Sequence, residues 1–153
     1  TIDNKHHQIV VVDALEDGGL NSLSELSKKL NKEQGVAIIT EGLINYFNEE
    51  SVRGMWNRFS KTLSQFPHGV YISDIHLSRH VKGGLANLFS KMLSIFVRGS
   101  IHMHFNESEY AEKALIELCF KTAKLHKPDD WADKLEVCKA RGANLVRIIE
   151  ARV

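Results

Sequence analysis

The chain is poor in cysteine and proline, has no long apolar run, and carries almost no net charge. Each shortage excludes something. Two cysteines, Cys119 and Cys138, are too few for a disulfide framework, so both are expected as reduced thiols in or near the core of a cytoplasmic protein. With only Pro67 and Pro128 there is no proline-rich linker to divide 153 residues, which predicts one domain with room for a substantial core. No apolar stretch approaches the roughly 20 residues that cross a bilayer. A net charge of +1 with both signs interspersed gives neither nucleic acid nor an anionic membrane a reason to bind. No G-x-G-x-x-G or P-loop spacing occurs, which argues against a dinucleotide-dependent or phosphate-cradling enzyme. Thr1 to His7 is polar and starts without methionine, the pattern of a cleaved chain or excised fragment.

What is present centres on Gly35 to Phe47, GVAIITEGLINYF. Val36 to Thr40 runs apolar or β-branched without a charge, which predicts a strand buried on both faces of a parallel sheet. It ends at Glu41-Gly42. Open α/β sheets bind ligands at the carboxyl ends of their strands. A glycine there lets a ligand approach the backbone, and a carboxylate accepts hydrogen bonds from ammonium or hydroxyl groups. A strand closed by a solvated Glu and a turn Gly would show the same spacing.

Around this centre the pattern alternates strand and helix. Gln8 to Asp13 is β-branched and predicts a strand with Asp13 at its end. Ser22 and Glu25 form a capping-box spacing that opens a helix to about Leu30. Asn48 caps a second helix, in which Val52, Met55, Trp56, Phe59 and Leu63 make one core-facing stripe. Val70 to Asp74 is the next strand, closing at Ser73-Asp74-Ile75-His76. A long helical stretch follows over 79–100, with an apolar face broad enough to be a dimer surface if left uncovered. His102 and His104 could share a metal ion only in an extended segment, and no third ligand stands nearby, so no metal site is expected. A helix after Asn106 and Glu107 turns Tyr110, Ala114, Leu115 and Leu118 inward. Phe120 to Leu125 is an edge-like strand, a short helix carries Trp131, Leu135 and Cys138, and Asn144 to Val153 is the last strand.

The wording ITEGLINYFNEESVRGMW resembles a segment of the leucine carboxyl methyltransferase and polyketide O-methyltransferase-like family, class I enzymes that use S-adenosylmethionine. VVVDALED upstream and VYISDIHL downstream are similar to the family's third and fifth strands, and HFNESEYAEKALIELCFKTAKLHKP to its late helix and strand. The resemblance implies an α/β, Rossmann-like methyltransferase sheet, mostly parallel with a closing antiparallel hairpin and truncated at its amino end. Residues 1–153 would be one partial domain from the third strand onward, with 79–105 as a helical cap. The family's first two strands and its Gly-rich cofactor turn have no counterpart here.

By the same resemblance, Asp13 would hold the adenine amine of S-adenosyl-L-methionine, and the amide of Ala14 or Leu15 would read a ring nitrogen. Glu41 and Gly42 would lie beside the ribose or the middle of the cofactor. His76 would face the methyl acceptor and could remove a proton from a hydroxyl; a carboxylate acceptor would need no base. The implied activity is O-methyl transfer to a small molecule or a peptide carboxylate. The competing expectation is a non-catalytic remnant of the same fold that forms a homodimer through its apolar surfaces.

Overall fold

A computed structural model of the chain describes residues 7–78, 102, 104–140 and 142–153. The helical cap expected over 79–105 falls almost wholly outside the described residues. Seven main elements follow in order: α1 (Leu23–Ser27), β1 (Val36–Thr40), α2 (Glu49–Leu63), β2 (Gly69–His76), α3 (Ser108–Glu117), β3 (Thr122–His126) and β4 (Val146–Arg152). The strands form one sheet in the order β1-β2-β4-β3. β1 lies parallel to β2, while β4 runs antiparallel to both β2 and β3. Three of the four strands therefore point the same way. The closing antiparallel hairpin expected from the last two strands is present, and β3 is an edge strand as its alternation predicts.

The core lies on one face of this sheet. Asn48 caps α2 through Ser51 N (2.8 Å), and Glu49 and Glu50 occupy its first turn, where the helix dipole favours anions. Its stripe of Val52, Met55, Trp56, Phe59 and Leu63 is fully buried. It packs with Ala111, Ala114 and Leu115 of α3 onto Tyr71 and Ile75 of β2 and Ile149 and Ala151 of β4. Trp56 stacks on Phe105 with ring centroids 5.5 Å apart, and Phe59 tilts against Tyr71 at 5.1 Å.

Several expectations fail. β1 is not buried on both faces, because its exposure alternates and Ile39 is 69% exposed. Gln8 to Asp13 is not a strand: Ile9 to Val12 are exposed, and only Asp13 bridges, to Ser22. A strand needs a neighbour for its backbone groups, and no described strand lies beside this segment. The first helix stops at Ser27; Ser22 Oγ caps it through Glu25 N, but Leu20 and Leu30 stay exposed, so its stripe is only half used. Tyr110 is 63% exposed rather than inward, and Cys119 is exposed with φ +72°. The region of Trp131, Leu135 and Cys138 folds as two 3-10 turns, Pro128–Trp131 and Glu136–Lys139. So short a segment, with Trp131, Leu135 and Val137 largely exposed, cannot sustain a helix.

Candidate functional site

The parallel pair β1 and β2 ends on one rim, and three acidic or turn residues meet there. Gly42 takes φ +60°, a conformation glycine adopts freely, and its amide donates to Asp74 Oδ1 at 2.7 Å. That bond fixes the turn after β1 against the end of β2. A Cβ added at Gly42 would meet no atom within 4 Å, so the turn is open on its outer side. Glu41 and Asp74 then line a shallow concavity of about 410 Å³ with Ile39, Ile72, Val146 and Ile148. Its walls are two carboxylates above and an apolar sheet face below.

Under the rim lies a buried polar network. Thr40, the last residue of β1, bonds through Oγ1 to Tyr71 Oη (3.0 Å) and donates to Ser73 Oγ (2.8 Å), while Trp56 Nε1 donates to Tyr71 Oη at 3.4 Å. Burial pushes the Tyr71 phenol above its ordinary range, so it stays neutral and holds β1 to β2 from within the core.

His76 is the last residue of β2. Its backbone N–H donates to Asn45 Oδ1 (2.9 Å), and Asn45 Nδ2 donates to the His76 carbonyl (3.2 Å) and to the His102 carbonyl (2.8 Å). The Asn45 carbonyl in turn accepts from His102 N at 2.7 Å. Asn45 thus ties the segment after Gly42 to the end of β2 and to His102. The His76 ring places Nδ1 3.2 Å from the Leu145 carbonyl, which can only accept. The Nδ1 hydrogen goes there, and Nε2 is left as the ring's acceptor.

Asp13 stands in a different local setting. Its Oδ1 accepts from Leu15 N at 2.8 Å, its own N–H donates to Asn21 O, and it bridges Ser22 at the start of α1. Ala14 packs against the core, and Asp17 pairs with Arg58 of α2 at 2.7 Å, which pins this loop to the helix layer. Gly42 and Asp74 are therefore joined directly, with Glu41 beside them on the rim, while Asp13, Ala14 and Leu15 form a second, separately anchored loop. The His102 and His104 rings stack at 5.6 Å, and no group of three metal-ligating side chains occurs among the described residues.

The sequence reading missed Asn45, Thr40 and Tyr71. A signal was there for Asn45: a lone amide inside Leu43-Ile44-Asn45-Tyr46-Phe47 must find partners when the run is buried. Thr40 and Tyr71 read only as strand residues, since their pairing depends on the β1–β2 register.

No protein-family model matches the chain, and neither does any curated protein sequence. Solved structures do resemble it. A DUF574 family protein from Streptomyces avermitilis aligns over 94% of this chain and 53% of its own, with TM-score 0.57 and 14% identity. An O-methyltransferase family protein from Burkholderia thailandensis aligns over 92% and 33%, with TM-score 0.52 and 9% identity. A SAM-dependent methyltransferase from Archaeoglobus fulgidus aligns over 96% and 68%, with TM-score 0.52 and 11% identity. The chain spans about half, a third and two thirds of the lengths of these proteins. At such identities the likeness is one of fold alone: a mixed α/β, Rossmann-like sheet.

Proposed function

We propose that this chain is part of an S-adenosylmethionine-dependent O-methyltransferase, with the rim of β1 and β2 as its cofactor edge. The observation that carries this is the Glu41-Gly42 turn, held open by the Gly42–Asp74 bond at the carboxyl end of a parallel pair. Bound there, the cofactor would supply a methyl group already activated by its sulfonium. The residues present fit part of such a group. Gly42 leaves room for close approach, and Glu41 and Asp74 offer negative charge to a ribose hydroxyl or a cationic centre. Asp13 would accept from the adenine amine. Because Asp13 already occupies the Leu15 amide, Ala14 is the amide proposed to read the ring nitrogen. His76, with Nε2 as its acceptor, is proposed as a base toward the methyl acceptor. No described segment supplies the glycine-rich turn that would hold the cofactor's amino-acid end, so the 153-residue chain should bind weakly.

The finer assignment to the leucine carboxyl methyltransferase and polyketide O-methyltransferase-like group rests on sequence wording, of which TEGLINYF is the most specific part. An amide NMR titration with S-adenosylhomocysteine tests the proposal. Shifts at Gly42 and Ala14 that Glu41→Ala weakens about tenfold are expected. Amides unmoved at millimolar ligand would overturn it.

A second reading, a non-catalytic domain that dimerises, is favoured by exposed Ile39 and Ile148 on the uncovered sheet face. Sedimentation decides it: a monomer at high concentration leaves this reading without support.

A further inference from the structure

Asn45 fixes the backbone of His76, but the ring is held from another side, by the connection into β4. His76 Nδ1 lies 3.2 Å from the Leu145 carbonyl. Leu145 closes a single 3-10 turn, Ala143–Leu145, which follows Gly142 at φ +91°. Its amide donates to the Gly142 carbonyl at 2.9 Å. One such turn is too short to be rigid by itself.

Arg147 stiffens it. Arg147 is the second residue of β4, stands opposite Ile75 of β2 and is only 5% exposed. Its Nη1 donates to the Asn144 carbonyl and to the Val146 carbonyl, both at 2.8 Å. These are the carbonyls on either side of Leu145, so one buried nitrogen clamps the peptide units that flank the one facing His76. The Asn144 side chain adds an outer tie, donating to both carboxylate oxygens of Asp129 at 2.8 Å. A guanidinium is costly to bury. Here two bonds of one nitrogen go into holding the shape of this turn.

The ring depends on that shape. A carbonyl can only accept, so with the Leu145 carbonyl in place the ring hydrogen sits on Nδ1 and Nε2 keeps its lone pair. Were the carbonyl to swing away, the hydrogen would be free to move to Nε2, which could then take no proton.

We propose that Arg147 is a positioning residue for His76: it aims the Leu145 carbonyl at Nδ1 and thereby keeps Nε2 as the ring's proton acceptor. This rests on the reading of His76 as the base of a methyl transfer, and adds how that base is kept in its working form.

Side-chain ¹⁵N NMR of the full chain in mildly alkaline buffer tests it. His76 should carry its hydrogen on Nδ1 with at least about fivefold preference, the size that one ordinary hydrogen bond sustains. The Arg147 Nη1 hydrogens should give resolved, slowly exchanging signals. A His76 hydrogen on Nε2, or an Arg147 guanidinium that rotates freely, overturns the proposal before any variant has to fold. Arg147→Met removes the donor and should lower the Nδ1 preference at least about threefold. Arg147→Lys, whose ammonium can still donate to both carbonyls, should retain more of that preference than Arg147→Met. Native amide signals with an unchanged His76 ring in Arg147→Met also overturn the proposal, and that is the outcome a merely structural role for Arg147 predicts. The S-adenosylhomocysteine titration is read separately. Should Gly42 and Ala14 stay silent to the nucleoside while the His76 hydrogen follows Arg147, the methyltransferase reading falls and the positioning of His76 stands.

Discussion

The two faces of the sheet are built from the same kind of residue and meet opposite fates. On the inner face Tyr71, Ile75, Ile149 and Ala151 have no solvent exposure, because α2 and α3 lie across them. On the outer face Ile39 is 69% exposed and Ile148 39%, and no described helix covers them. Register makes the division strict. Tyr71 sits opposite Ala151 and Ser73 opposite Ile149, so one parity of each strand faces the helices and the other faces water. Strand residues chosen for a buried sheet therefore do not guarantee a buried sheet. Burial depends on which covering elements are folded against it.

The sharpest way to break this comparison is to truncate one large apolar residue on each side. Trp56→Ala removes a fully buried ring stacked on Phe105 and should cost about 3–5 kcal/mol in urea unfolding. Ile39→Ala should change stability by less than about 0.5 kcal/mol, since its side chain is already wet. Comparable losses at the two positions would mean that the outer face is covered in solution.

The rim, where the two faces meet, should give an intermediate effect. Asn45→Ala removes three side-chain hydrogen bonds and strands the His76 N–H and the His76 and His102 carbonyls. A loss of roughly 2–3 kcal/mol is expected, with amide shifts confined to the ends of β1 and β2 and to His102. If the variant unfolds like wild type, water replaces Asn45 without penalty and the rim is not held from below.

How much of this was legible beforehand follows the same division. The α2 stripe, its Asn48 cap and the Ser22 cap were readable because they depend on residues within a few positions of one another. The register that brings Asp74 to Gly42 was not, since it joins side chains 32 residues apart. Val10 to Val12 carries strand chemistry as strong as that of β1, yet only β1 is paired, to β2. Composition states what a segment would do with a neighbour; it does not state whether the neighbour is there. Tyr110 failed for a related reason: helical spacing named its face, but that turn of α3 lines an open cleft with Arg53 and His104 instead of packing on the core.

A small effect that depends on pH is expected on the outer face, where ion pairs take the place of packing. The Glu150 carboxylate accepts from Arg152 Nε at 2.8 Å and lies 2.9 Å from His126 Nε2. The Arg152 bond first, and the His126 bond second, hold its carboxyl below the ordinary value of 4.5. A carboxyl depressed in the folded state stabilises the fold above its unfolded value and stops doing so as pH falls through the folded one. Glu150→Gln should therefore cost less than about 1 kcal/mol at pH 7, discounted for its partial exposure. The gap to wild type should narrow as pH falls below about 4.5 and shrink in molar salt. A gap that survives both acid and salt would show that Glu150 works through packing, and the outer face would then resemble the inner one more than its exposure suggests.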